Sequence, residues 1–394
     1  MVSIHVPICN EPPERVRSAL ASLAALDYPA FEVLVVDHNT PDPNVWEPVA
    51  RDCAGRGARF RFFHLGAWPS GRAGALNFPR VQATDQAEVV AVLEPGALVA
   101  RNWLQDAVPE FADPRVGVVR SPYLLRKTAL DGVGGWAEWT VTEDAALDLA
   151  LSQARWLSAE PATPMARAPN DFAGSRQRTA RRAYGAAQIG RRHWLLLSLF
   201  DRTLTLPQRW RVIAGWLPWA GDALGLLLLL GNLALSLGLV MNVWRFGVLT
   251  TLSASLALVL LAIRFARLQG APVGTAAKEL ALSHTGARAF CNGMLGKGVP
   301  FQRPAHPDLA PAHPRRMLRE ELALLMASWA ALAAITCVHG LSAWQPVLWC
   351  AALLAQSVPY AAAVALTMLP ARPVRQHGAS GPGLCGVARS GVGD

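Results

Sequence analysis

Three acidic stretches stand where acids can do chemistry. "AVLEPGALV", residues 91–99, reads as a buried strand that ends on Glu94 and turns through Pro95 and Gly96. In α/β proteins ligands bind just beyond the carboxyl ends of strands. One carboxylate there could meet a hard cation, but a metal-bound diphosphate usually wants two, so the turn reads as an ordinary strand end, a metal site or the remains of one. Asp37 closes a second β-branched run, "FEVLVVDHN". Taken alone it is an Asx-turn or helix cap more readily than a ligand. "VGGWAEWTVTEDAAL", residues 133–147, puts Glu143 and Asp144 in the first turn of a predicted helix, behind Thr142 as its predicted N-cap. The helix dipole favours anions at that end. A carboxylate so placed, beside a Gly-Gly-Trp turn, is also well placed to take a proton from a hydroxyl.

These acids need a sheet to hold them. "VSIHVP" and "FEVLVVDHN" are β-branched runs separated by "PPERVRSALASLAALDYP", whose Val16, Leu20, Leu23 and Leu26 recur at helical spacing between prolines. That pattern is a βαβ unit. A further unit runs from "RFRFFHL" through a possible helix, "RAGALNFPRVQA", to the strand "EVVAVLEP". Strands alternating with helices predict a parallel sheet with sites at its carboxyl edge. "GRAGALN", residues 71–77, is either a Gly-tolerant helix start or, through its free N–H groups, a seat for phosphate.

The second half of the chain has another character. Of 394 residues 52% are hydrophobic, and they are unevenly spread. Residues 223–244 and 246–263 carry no charged side chain, and 322–338 and 347–369 are also strongly apolar. Each is read as a membrane span, since about 20 apolar residues cross about 30 Å of hydrocarbon. The net charge of +9 suggests nucleic acid until the basic residues are placed. Lys and Arg gather in 264–321, whereas the link between the first two spans holds Arg245 and that between the last two holds none. By the positive-inside rule segment 264–321, the tail and the N-terminal domain are cytoplasmic, with no nucleic-acid partner. No signal peptide precedes "VSIHVP", which implies a first domain that is not exported. Cys9, Cys53, Cys291, Cys337, Cys350 and Cys385 form no CxxC pair and are read as reduced thiols. The Gly-rich stretch 372–394 reads as a disordered tail.

In this order, "HVPICNEPPERV", "FEVLVVDHNTPDP", "GRAGALNF", "GGWAEWTVTEDAAL", "AYGAAQIGRRHW" and "AGWLPWAGD" resemble a membrane-bound family 2 glycosyltransferase of the cellulose-synthase-like type. "LSHTGARAFCNGMLGKGVPFQ" resembles that family's amphipathic interface helix, although by itself it could be an ordinary basic surface helix. The resemblance implies an α/β GT-A domain over 1–205, then an all-α transmembrane region over 206–371 in the inner (plasma) membrane. It implies a UDP-sugar donor, a glycan acceptor and Mg²⁺ or Mn²⁺. Carried over residue by residue, Asp37 would hold the uracil and ribose side, with Glu11 and a Pro7 loop beside it. Asp144 would be the base that deprotonates the acceptor, with Thr142, Glu143 and Trp136 shaping the acceptor site. The hydroxyl would attack from the face opposite UDP and give an inverted, β-linked product.

The family pattern is broken in four places. The Asp-x-Asp of the family reads Glu94-Pro95-Gly96, so Glu94 is the one remaining metal candidate. The Gln-x-x-Arg-Trp that binds the acceptor end and diphosphate reads "QRTARRAYG": Gln177 is one residue too far from Arg181, and Arg182 replaces the Trp. Arg72 stands where the family usually has Lys, which keeps the positive charge. Between strand 116–119 and Gly134 roughly forty residues of the family's acceptor-side loop are missing. Two functions stay open: an active membrane hexosyltransferase of polysaccharide type, or a non-catalytic relative acting as a scaffold or sugar-nucleotide-binding protein.

Overall fold

The computed structural model describes residues 1–68, 71–120, 123–160, 172–197, 204–296 and 318–368. The tail 372–394 and part of the basic segment, 297–317, lie outside these. β1 (Val2–Ile8), α1 (Pro13–Ala24), β2 (Phe31–Asp37), α2 (Pro43–Gly55), β3 (Phe60–His64), α3 (Gly71–Gln82) and β4 (Val89–Val92) follow the predicted alternation. Pro13 opens α1, where its missing N–H leaves no bond unmade, and Val16, Ala19, Leu20 and Leu23 bury one face. Asp42 caps α2 by accepting from the Asn44 N–H at 2.9 Å.

Then come α4 (Trp103–Ala107), β5 (Val116–Val119), β6 (Leu124–Arg126), α5 (Lys127–Gly132), α6 (Glu143–Gln153), β7 (Leu157–Ala159) and α7 (Phe172–Arg192). The strand order is β3-β2-β1-β4-β6-β5-β7. The strands of the predicted βαβ units, β1 to β4, pair in parallel as expected, and β6, which the sequence did not show, runs antiparallel to both β4 and β5. β6 is three residues long, too short to show a period in the sequence. β1 and β2 are buried along their whole length, as strands covered on both faces must be.

The register lines up the acids. Ile8 pairs with Asp37, and Asp37 with His64, so three strand ends share the carboxyl edge. Leu93 donates to the His5 carbonyl at 3.0 Å, which carries the pairing one residue past β4, to the residue before Glu94. The chain reverses its build direction between β1 and β4, the crevice where open α/β sheets bind ligands. The Pro7 loop is also corrected, because Pro7 is a buried strand residue opposite Val36. Backbone groups alternate sides along a strand. The missing N–H of Pro7 therefore faces the β4 side, beyond the last β4 residue that pairs.

Among the described residues four helices are long and apolar enough to cross a membrane: α8 (Leu206–Val240), α9 (Val248–Leu268), α11 (Arg319–His339) and α12 (Trp344–Met368). Between the pairs lies α10 (Val273–Met294). α8 starts well before the expected residue 223, because Thr205 and Gln208 form a reciprocal capping box and Pro207 fits the first turn. Its 35 residues make a rod of about 52 Å, far longer than the hydrocarbon layer. Large apolar side chains such as Leu230, Leu237, Leu252 and Trp329 are exposed on these helices, as lipid-facing residues are. α7 joins the two halves by packing on α10: a side chain at Gly293 would run into Ala187 and the Tyr184 carbonyl.

Candidate functional site

At the start of α6 the two neighbouring acids have different surroundings. Glu143 is buried and takes two arginines: Arg72 from α3, and Arg181 from α7, whose Nη2 lies 3.0 and 2.9 Å from its carboxylate oxygens. Arg181 Nε also donates to the Val141 carbonyl at 2.7 Å, which fixes the turn before the helix. Burial would raise the Glu143 pKa, but Arg72 and Arg181 outweigh it and hold the carboxyl below its usual range. Glu143 is therefore a fixed anion and no proton acceptor. Asp144 is exposed, and one oxygen accepts from the Ala145 N–H at 2.9 Å.

Thr142 stands at the N-cap position of α6, but its side chain makes no capping bond, a correction to the expected cap. Its hydroxyl faces that of Thr140 at 3.3 Å. α7 presses on it: a Cβ at Gly185 would lie 2.1 Å from Thr142 Oγ1. Contact with α7 has replaced the cap.

Arg72 continues to the other side of the site. Its second nitrogen reaches Glu94, so one guanidinium joins the turn after β4 to the start of α6. Burial would depress the Arg72 pKa, yet Glu94 and Glu143 more than reverse this, and it stays charged. The Glu94–Gly96 turn is closed by Ala97 N–H to the Glu94 carbonyl at 3.0 Å, with Gly96 at φ +81°. That is a type II turn, in which Pro and Gly fit the two central places. Glu11 is close enough to Glu94 to feel its charge. Burial raises the Glu11 pKa, Arg15 lowers it and Glu94 raises it again.

A divalent cation fits this turn poorly. Glu94 is exposed and already engaged by Arg72, and position 96 carries no side chain. No group of three or more metal-ligating side chains occurs among the described residues.

Asp37 is buried and doubly bonded, accepting from the Thr40 hydroxyl at 2.6 Å and facing His64 Nδ1 at 2.7 Å. Burial raises its pKa, and the bonds to Thr40 and His64 oppose that. His64 stacks on Trp46 with ring centres 4.3 Å apart. Sequence reading missed Thr40, Trp46 and His64. The one signal was that "RFRFFHL" also ends its strand on a polar residue. Also missed was Asp148, one turn beyond Asp144, which accepts from Tyr123 at 2.8 Å and pairs with Arg120 at 2.9 Å. Tyr123 and Arg120 belong to the shortened β5–β6 connection and fill space beside α6.

Trp136 is buried, packed with Leu125, Leu130 and Leu147. Its backbone is held on both sides by Asn77, at 2.9 and 2.8 Å. It borders a cavity of about 350 Å³ together with Glu138, Trp139 and Arg192. In the "QRTARR" stretch, Arg181 makes the bonds to Glu143, while Gln177 and Arg182 are exposed.

Residues 3–127 match the family model described as Glycosyl transferase family 2. Beta-monoglucosyldiacylglycerol synthase of Trichormus variabilis is 28% identical over 203 residues, covering 39% of this chain and 42% of that protein. The Synechocystis sp. enzyme of the same name is 26% identical over 181 residues, covering 34% and 36%. The chain thus spans less than half the length of these curated relatives. Among solved structures, a mannosyltransferase from Pyrobaculum calidifontis in complex with GDP-Man and Mn²⁺ superimposes with a TM-score of 0.53 at 20% identity. That match covers 75% of this chain and 88% of the other.

Proposed function

Since the chain carries a family 2 glycosyltransferase domain of GT-A fold followed by four apolar helices, we propose that it is a membrane-bound inverting hexosyltransferase that uses a UDP-sugar. The observation that carries this reading is the exposed Asp144, held next to a buried Glu143 that Arg72 links to the strand-end turn. The donor lies at the carboxyl edge of β1, β2 and β4, with its diphosphate drawn to Arg72 at the start of α3. The acceptor hydroxyl loses its proton to Asp144, its oxygen bonds to the anomeric carbon, and the bond from that carbon to the diphosphate oxygen breaks. Attack from the opposite face inverts the centre, and the departing diphosphate takes over the Arg72 nitrogen that is bonded to Glu94 in the free protein. Asp37 and Glu11 serve the nucleoside side. Residues 1–205 form the catalytic unit on the cytoplasmic side of the membrane, since basic segment 264–321 marks that side.

Metal dependence is expected to be weak, because Arg72 already occupies the carboxylate that a cation would need. The second reading, a sugar-nucleotide-binding protein without turnover, is favoured by the bare position 96 and by the loss of the acceptor-side loop. UDP release from UDP-glucose by the full chain in lipid nanodiscs separates the two. Turnover that disappears in Asp144→Asn supports the transferase, and UDP binding with no turnover under any acceptor supports the binding protein.

A further inference from the structure

Asp37 ends β2 at the carboxyl edge of the sheet, yet its carboxylate is closed off. The side chain is 1% exposed. One oxygen accepts from the Thr40 hydroxyl at 2.6 Å, and the other lies 2.7 Å from His64 Nδ1. Thr40 Oγ1 accepts in turn from the Asn10 N–H at 2.8 Å, so the loop after β1 closes over the same acid. Asn39 ties the loop after β3 to the loop after β2, bonding to both backbone groups of Trp68 at 2.9 and 3.0 Å. Asp37 thus holds the strand ends together and leaves almost no surface for a base edge to touch.

His64, its partner on β3, is open. Its side chain is 30% exposed. A carboxylate oxygen can only accept, so Nδ1 carries the hydrogen of the bond to Asp37, and the lone pair of the neutral ring lies on Nε2. Trp46 from α2 stacks on one face of the ring, with centres 4.3 Å apart and planes within 18°. The imidazole is fixed by an edge bond and by a face contact, while Nε2 makes no hydrogen bond among the described residues. An acceptor held in this way loses little freedom when a ligand meets it.

Resting on the UDP-sugar reading above, we propose that His64 is the residue that reads the nucleobase, and that Asp37 is a positioning residue acting through it. Uracil presents an N–H at N3 between two carbonyls, and this N–H donates to His64 Nε2. Cytosine has a lone pair at the same place, which would face the lone pair of Nε2, so cytosine is disfavoured. Asp37 makes the choice by fixing the tautomer. Because Thr40 Oγ1 already takes the Asn10 N–H, its own hydrogen goes to Asp37. An asparagine at position 37 would keep its oxygen on Thr40 and turn its amide N–H towards His64 Nδ1. The ring proton then moves to Nε2, and the acceptor becomes a donor that suits cytosine N3.

The test is calorimetry of UDP and CDP, which differ only in the base, into the full chain in lipid nanodiscs. The native chain should bind UDP about tenfold more tightly than CDP, the worth of one hydrogen bond made or opposed. His64→Ala should weaken UDP about tenfold and bring the two ligands within about twofold of each other. Asp37→Asn, which keeps the shape of the side chain, should bind CDP at least as tightly as UDP, a reversal that a merely structural role for Asp37 does not produce. Equal binding of CDP and UDP by the native chain, a reading that needs no variant, would overturn the assignment outright. The native preference surviving in His64→Ala would show that another group reads the base, and a uridine preference kept in Asp37→Asn would overturn the tautomer. UDP-glucose turnover is read on the same samples. Base selectivity without turnover keeps the assignment and defeats the transferase reading, UDP binding with turnover but without selectivity does the reverse, and a native chain that binds no UDP defeats both.

Discussion

The turn after β4 and the start of α6 are both acidic and share Arg72, yet they are built differently. At the first, one exposed carboxylate stands on a Pro-Gly turn and leans on the arginine. At the second, a buried carboxylate is gripped by two arginines from different helices and braced by α7, leaving its neighbour Asp144 open to solvent. The first has an arginine in the space where a metal would need carboxylates. The difference teaches that one arginine can serve two acids unequally, lending charge to an exposed carboxylate while it helps fix a buried one.

The largest effect should come from the open acid. Asp144→Asn should lower transfer by about 10²- to 10⁴-fold, the range of general-base catalysis, while calorimetric UDP affinity stays unchanged. Loss of UDP affinity in this variant would mean that the two sides are not separate.

Next in size is the gripped acid. Glu143→Ala leaves Arg72 and Arg181 facing an empty site and should lower stability by about 3 to 5 kcal/mol, the usual result of breaking a buried pair from one side. pH sharpens the same point. The folded Glu143 pKa lies below its unfolded value of about 4.3, so its contribution is complete above that pH and is lost as pH falls through the lowered folded value. Urea unfolding from neutral to acid pH should show this loss in the native chain and not in Glu143→Gln.

How these regions read in the sequence differs in the same way. The βαβ unit around Asp37 and the four apolar helices were legible because their periods run over many residues. β6 was hidden because "LLR" is too short to carry a pattern. The start of α8 was hidden because Arg209, Arg211 and Asp222 interrupt its apolar run before residue 223, and its capping box marks the true start. The acids themselves were visible at the site, but their roles depend on partners far along the chain. Arg72 is 71 residues from Glu143 and Arg181 is 38. His64 beside Asp37 is a matter of register, which one strand read alone does not contain.

A smaller effect is expected at the shared arginine. If its hydrogen bonds to the diphosphate are worth about 2 kcal/mol, Arg72→Ala should weaken UDP binding about thirtyfold, and Arg72→Lys should recover part of this. The smallest effect belongs to the turn. Gly96→Asp puts a side chain at φ +81° and within 2.6 Å of Arg15, which should lower thermal stability by about 1 kcal/mol. The double change Pro95→Ala with Gly96→Asp releases the turn and should introduce Mg²⁺ dependence of UDP binding.

One titration tests the exchange of metal for arginine most directly: calorimetry of UDP into the native chain and into Arg72→Ala, each with and without Mg²⁺. The account predicts native binding that Mg²⁺ changes by less than about threefold and that Arg72→Ala largely removes. Binding that requires Mg²⁺ and survives Arg72→Ala would show that Glu94 works as a metal ligand and that the arginine bridge is not the diphosphate site.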